Sequence, residues 1–269
     1  MAPRTRRSVP SPLLAACALF FCAAYFAARF SDVPGAGIGS FVSTFLIAMP
    51  SFVALWRFLG PKDALVSLLA LSAFGYAIET TGVVTGFPYG PFYYGDSLGP
   101  KVAGLVPYLL PLSWAPLVLG AVVATAPPAS SWRSPPRVLH VLSAAVLLAL
   151  VDGVLDPGAA SLGFWVWPEG GAYYGVPLTN YLGWLLSSAL AAALLLALGR
   201  RRWGRVAPPP GMLDSLLIAV AFWLGVAVFF GLLVPALLGA GLFLYLLRCR
   251  GWLVAAGAAR YKSGGRGGE

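Results

Sequence analysis

A chain of 269 residues, 59% hydrophobic and only 10% charged, lacks the polar surface of a water-soluble domain, and its repeated apolar runs of about twenty residues match a ~30 Å hydrocarbon core. The expected fold is an all-α integral membrane protein, a bundle of about eight transmembrane helices, with no room for a separate soluble domain. The formal net charge of +9 calls for no nucleic acid, because the excess Lys and Arg falls in loops suited to anionic headgroups.

Apolar continuity, bounded by Gly, Pro or basic residues, predicts spans over 12–30, 38–59, 63–83, 102–124, 136–156, 178–198, 212–231 and 233–249. Arg4, Arg6 and Arg7 precede the first apolar run in the manner of a signal peptide, but that run continues to Phe30, so an uncleaved first span is expected. The third span carries Glu79 near its end, and the fifth carries Asp152 and Asp156. The last apolar run, Leu216 to Leu247, would reach about 48 Å as one straight helix. Gly231 and Pro235 therefore mark a fold into two helices.

With eight spans, 16 of the 18 Lys and Arg fall on one side, leaving only Arg29 and Lys101 on the other. Cytoplasmic loops carry the excess of basic residues. The expected arrangement is a multi-pass protein of the cell membrane with a cytoplasmic segment at 1–11, a transmembrane domain at 12–250 and a disordered cytoplasmic tail at 251–269.

Cys17, Cys22 and Cys249 show no metal-ligand or redox spacing, and His140 near the start of the fifth span reads as a packing residue. No phosphate loop, dinucleotide fingerprint or nucleophile elbow is present, and no metal cluster is expected.

Glu79, Asp152 and Asp156 carry the chemical signal. A carboxylate at the centre of a spanning helix costs about 2.5 to 3.5 kcal/mol on insertion scales, so such residues mark a buried polar site. Counted from the cytoplasmic ends at 1.5 Å per residue, they rise about 26, 23 and 29 Å, all in the outer half of the membrane. Asp152 and Asp156 are one helical turn apart and share a face. If that face meets the third span, the acids converge, and burial with mutual repulsion favours a protonated carboxyl among them.

Two long outer loops, Gly82 to Val102 and Pro157 to Pro177, follow these acids, and both contain a Tyr-Tyr-Gly triplet: Tyr93-Tyr94-Gly95 and Tyr173-Tyr174-Gly175. Spans three to four and five to six read as related units of equal polarity. Interfacial aromatics and turn residues account for part of the loop composition; two long loops nearly free of Lys and Arg also suggest lids closing an apolar cavity. Glu169, in a Pro-Glu-Gly-Gly turn, reads as solvated.

The stretches YAIETTGVVTGFPYGPFYYGDSLGPKVAGLVPYLLPLSW and LVDGVLDPGAASLGFWVWPEGGAYYGVPLTNYLGW resemble the membrane-bound carotenoid biosynthesis family that includes the CruF-type carotenoid hydratases and the bisanhydrobacterioruberin hydratases. The resemblance implies addition of water, without a cofactor, across the terminal double bond of an acyclic carotenoid to give a tertiary alcohol. Its partners would be a lipid-soluble carotenoid, water and membrane lipids. Such chemistry needs a proton donor, a positioned water and a shielded cation. Glu79 or Asp156 is the candidate general acid, and Asp152, helped by Asn180, the candidate water-orienting base. Tyr94, Trp114, Trp165, Trp167, Tyr174 and Trp184 are candidates to face the cation, with Tyr93 and Tyr173 as further substrate contacts.

Two other readings stand beside this one. Asp152 and Asp156 resemble part of a magnesium-diphosphate motif of membrane prenyltransferases, though a second acidic motif and nearby cations are missing. A non-enzymatic protein is the other: a transporter, whose proton or solute path would place acids at several depths, or a protein that binds a carotenoid without converting it.

Overall fold

The computed structural model describes residues 11–30, 36–126, 137–203 and 206–264. The N-terminal segment before residue 11, the last five residues of the tail, and Arg4, Arg6, Arg7, Arg133, Arg205 and Arg266 lie outside them. The described chain forms eight helices: α1 (Ser11–Arg29), α2 (Ala36–Leu59), α3 (Pro61–Thr85), α4 (Leu110–Ala124), α5 (Arg137–Ser161), α6 (Leu178–Leu198), α7 (Asp214–Phe229) and α8 (Leu233–Gly264). Four two-residue strands lie in the loops: β1 (Tyr93–Tyr94), β2 (Lys101–Val102), β3 (Val106–Pro107) and β4 (Trp165–Val166).

Among the described residues seven helices are long and apolar enough to cross a membrane, and α4 is the exception. The span expected over 102–124 is a helix only from Leu110, because its first residues form the β2–β3 hairpin. Ala103 and Gly104 turn that hairpin with φ of 50° and 73°, Pro107 ends its second strand, and Pro111 falls in the first turn of the helix, where a missing N–H costs nothing. The 15-residue α4 is about 22 Å long. It is buried along nearly its whole length from Trp114 to Val123, packed against α2, α3, α5, α6 and α7.

The charge-free run after Leu216 does divide, with α7 ending at Phe229, a turn at Gly231 and α8 beginning at Leu233. α8 continues to Gly264, past the end expected at 249, where the basic residues begin. α5 likewise continues through Pro157 to Ser161 instead of stopping at Asp156. Proline lacks the N–H that would reach the carbonyl four residues back. The Tyr173 hydroxyl takes its place, donating to the Gly153 carbonyl at 3.1 Å.

α2 contains a proline too, Pro50. Near that interruption the Ser51 N–H donates to Ser215 Oγ at 3.0 Å, and Ser51 Oγ donates to the Met212 carbonyl at 2.7 Å. These bonds tie α2 to the start of α7 in an interior where an unpaired polar group is expensive.

β1 pairs with β4 in antiparallel register, so the loops after α3 and after α5 meet at one end of the bundle. The Val234 N–H donates to the Tyr174 hydroxyl at 3.3 Å, which brings the α7–α8 turn to that end too. At the opposite end the Arg250 guanidinium, near the middle of the long α8, holds Asp214 at the start of α7 at 2.6 Å. Successive helices alternate in direction, and the first and last described helices leave their outer ends on the face away from the loops.

Candidate active site

Three helices deliver the polar groups and the paired loops cover them. Glu79 projects from the final turns of α3 at 6% exposure, Asp152 and Asp156 from α5 at 0% and 2%, and Asn180 from the first turn of α6 at 2%. The side-chain amide of Asn180 donates through Nδ2 to Asp152 Oδ2 at 3.0 Å and also to Asp156 Oδ2. Both N–H bonds of the amide thus serve the two acids, which leaves its carbonyl oxygen as the free acceptor.

Glu79 has a different set of partners. The Tyr94 hydroxyl, on β1, donates to Glu79 Oε2 at 2.8 Å. Tyr89 interacts with the same carboxyl and with Ser187 of α6. On the other side of the site Trp165 of β4 interacts with Asp156.

The register of the two strands makes these contacts one device. Tyr94 and Trp165 are direct partners across the β1–β4 ladder, with ring centroids 6.0 Å apart and edge to face. One residue of the pair grips the acid of α3, and the other meets an acid of α5. The ladder needs Gly95, whose N–H donates to the Phe164 carbonyl at 2.8 Å and whose place leaves only 2.2 Å between a Cβ and the Gly163 oxygen. Lys101 secures the same strand, its ammonium donating to the Tyr94 carbonyl at 2.7 Å and to Asp96 at 2.8 Å. That ammonium holds the exposed Asp96 carboxyl below its ordinary range, so the contact persists at neutral pH and weakens as pH falls through that lowered value.

Glu79, Asp156 and Asn180 open onto one cavity of about 750 Å³. Tyr94, Trp114, Trp165, Trp167 and Trp184 also line it. Asp152 does not. It lies behind Asn180, one oxygen on the amide and the other buried without a partner. Tyr93, Tyr173 and Tyr174 are also absent from the wall. Tyr93 alternates to the exposed face of β1, Tyr173 supports the α5 carbonyl freed by Pro157, and Tyr174 meets the start of α8.

The likeness of the two loops therefore ends at polarity and position. α3 and α5 run the same way, yet Tyr94 reaches an acid whereas Tyr174 does not. Sequence reasoning also missed Tyr89 and Phe92, both buried in the cavity wall. Tyr89 fits because Gly183 of α6 has no side chain, a Cβ there lying 2.5 Å from the ring. The Phe-Pro-Tyr-Gly-Pro run and the glycine beside Trp184 were the available signals.

Fold and site together define a polytopic helical membrane protein with a buried carboxyl cluster at one end of a largely apolar cavity. Residues 37–246, which include every polar group of the site, match the carotenoid biosynthesis protein family, and the chain belongs to that family. It is 41% identical over 206 residues to the bisanhydrobacterioruberin hydratase of Haloarcula japonica, an alignment that covers 74% of this chain and 69% of the relative. No solved structure matches the chain.

Proposed function

We propose that the chain is a carotenoid hydratase that adds water across the terminal trisubstituted double bond of an acyclic carotenoid end and forms a tertiary alcohol. The observation that carries this reading is the cavity itself: carboxyl groups and an amide at one end, aromatic and aliphatic walls elsewhere, in a chain of this family. The named relative performs a hydration according to its name.

Glu79 is the preferred proton donor. Tyr94 donates to Oε2, so the proton to be delivered sits on the other oxygen. Transfer to the less substituted alkene carbon forms the new C–H bond and leaves the positive charge on the tertiary carbon. The ring faces of Trp114, Trp165, Trp167 and Trp184 stabilise that cation and keep other nucleophiles away. Water on the Asn180 side attacks the cation, and the proton it loses passes to the Asp152–Asp156 pair. A proton returned to Glu79 completes the cycle. Asp156 is the alternative donor because it faces the same cavity. Asp152, behind the amide, orients Asn180 and shares the released proton.

A diphosphate substrate fits poorly, since the cavity lining contains neither Lys nor Arg and Lys101 is committed to Tyr94 and Asp96. The basic residues gathered in the loops of one side support a multi-pass protein of the cell membrane with both termini cytoplasmic. Its partners are then a carotenoid dissolved in the bilayer, water admitted to the carboxyl end, and the surrounding lipid.

Expression in cells that accumulate lycopene or a related acyclic carotenoid, followed by mass analysis of extracted pigment, tests the function. The expected product is heavier by one water per end modified. Unchanged pigment at confirmed membrane expression of the protein contradicts the reading for that substrate class.

A further inference from the structure

The cavity does not stop at the carboxyl end. It continues between α1 and α2, where its wall changes to Ala23, Phe26 and Ala27 on α1 with Phe30 just past its end, and to Gly39, Ser40, Ser43, Thr44 and Ile47 on α2. Each set has the spacing of one helix face, and the α2 set descends about 12 Å toward mid-membrane. Both helices pack on α7, whose Ala219, Phe222 and Trp223 form the floor.

Two features distinguish this arm from the site. It holds no charged side chain, and the Thr44 hydroxyl is spent on its own helix, donating to the Ser40 carbonyl at 2.8 Å. Its outer wall is also open, with Phe26 62% exposed and Phe30 51% exposed, whereas Asp156 and Asn180 at the far end are each 2% exposed. Side chains that face both the cavity and the outside mark an opening at membrane depth, where the surroundings are lipid.

We infer that the cleft between α1 and α2 is the lateral portal and tail-binding groove for the carotenoid, so that a reacting end lies among the acids while the polyene runs past Gly39 and Ser43 toward the bilayer. This inference rests on the hydratase reading for the identity of the occupant. A long, stiff apolar chain suits an elongated apolar groove, and continuity with the carboxyl cluster sets its direction. Gly39 and Ser43 then act as specificity-determining positions: bulk there closes the path to long substrates more than to short ones.

Gly39→Phe and Ser43→Phe test this in the purified full chain, with a long acyclic carotenoid and a short acyclic isoprenoid bearing the same terminal alkene. A Cβ at Gly39 meets nothing within 4 Å, so the added ring has space to enter. The expected result is a fall of about tenfold or more in the ratio of long to short turnover, with Val42→Phe, on the outward face of α2, keeping the wild-type ratio. A ratio unchanged by both cleft variants overturns the inference while leaving hydration intact.

A second readout works without turnover. A membrane-permeant maleimide should alkylate Ser43→Cys more slowly when the protein is loaded with the long carotenoid, and Val42→Cys at an unchanged rate, each site being read by peptide mass. Equal protection or none at the two positions overturns the portal. If the wild type hydrates neither substrate, the hydratase reading fails and this protection alone decides whether the groove holds a carotenoid.

Discussion

Tyr94 and Tyr174 occupy the same place in a repeated Tyr-Tyr-Gly triplet, but one holds a buried acid and the other meets the start of α8. Single residues here are read through their partners. The acids were legible in the sequence because a carboxyl in an apolar span is costly enough to demand an explanation. Tyr89 was not, since the gap that receives it belongs to Gly183, far along the chain. Glu79→Gln keeps shape but cannot deliver the proton, and the expected loss of hydrated product is about 10²- to 10⁴-fold, measured against unchanged membrane expression. Tyr94→Phe removes one hydrogen bond worth about 1 kcal/mol, and turnover should fall about three- to tenfold. Tyr173→Phe should act on stability, lowering the detergent-solubilised midpoint by the equivalent of about 1 kcal/mol while product per folded molecule is retained. A selective loss of substrate affinity in Tyr173→Phe would instead return that residue to the cavity wall.

Helices were more legible than the elements between them. Apolar length located every long span, and the break at Gly231 followed from the excess length of the last run. Hydropathy misplaced the start of α4, because Val102, Leu105 and Val106 read as span residues while Gly104 and Pro107 shape a hairpin. It ended α5 at Asp156, before Pro157, because the tyrosine that supplies the missing hydrogen bond lies outside the helix. The β1–β4 ladder left still less trace, as two-residue strands carry no periodicity. Its role is tested by Gly95→Ala, which must push the strand off the Gly163 carbonyl. Conversion should fall about tenfold or more. Lys101→Met, which frees the Tyr94 carbonyl, should lower kcat about three- to tenfold with little change in KM, and Lys101→Arg should restore part of it. A loss confined to KM would show that Lys101 acts on binding and does not position Tyr94.

Across the whole molecule, eight helices of alternating direction gather the acid-bearing ends of α3 and α5 and the start of α6 under one pair of loops. The opposite end carries the Arg250–Asp214 pair. This placement predicts that reporters fused to the N- and C-termini give the same sidedness in intact cells; opposite readings would contradict both the charge argument and the helix count. The same architecture sets the carboxyl cluster at one end of the cavity and the apolar walls of α1 and α2 at the other, the separation that the proposed reaction between water and a polyene requires.

Hydration as proposed requires a proton donor and a bound water to meet one alkene in the carboxyl-lined end of the cavity. Purified protein in vesicles containing an acyclic carotenoid, supplied with heavy-oxygen water, measures this directly. The wild type should place one heavy oxygen in each tertiary alcohol formed, and both Glu79→Gln and Asp156→Asn should lose most of that incorporation while remaining folded. Undiminished incorporation in both variants would contradict the carboxyl mechanism, and product lacking the label would contradict water addition altogether.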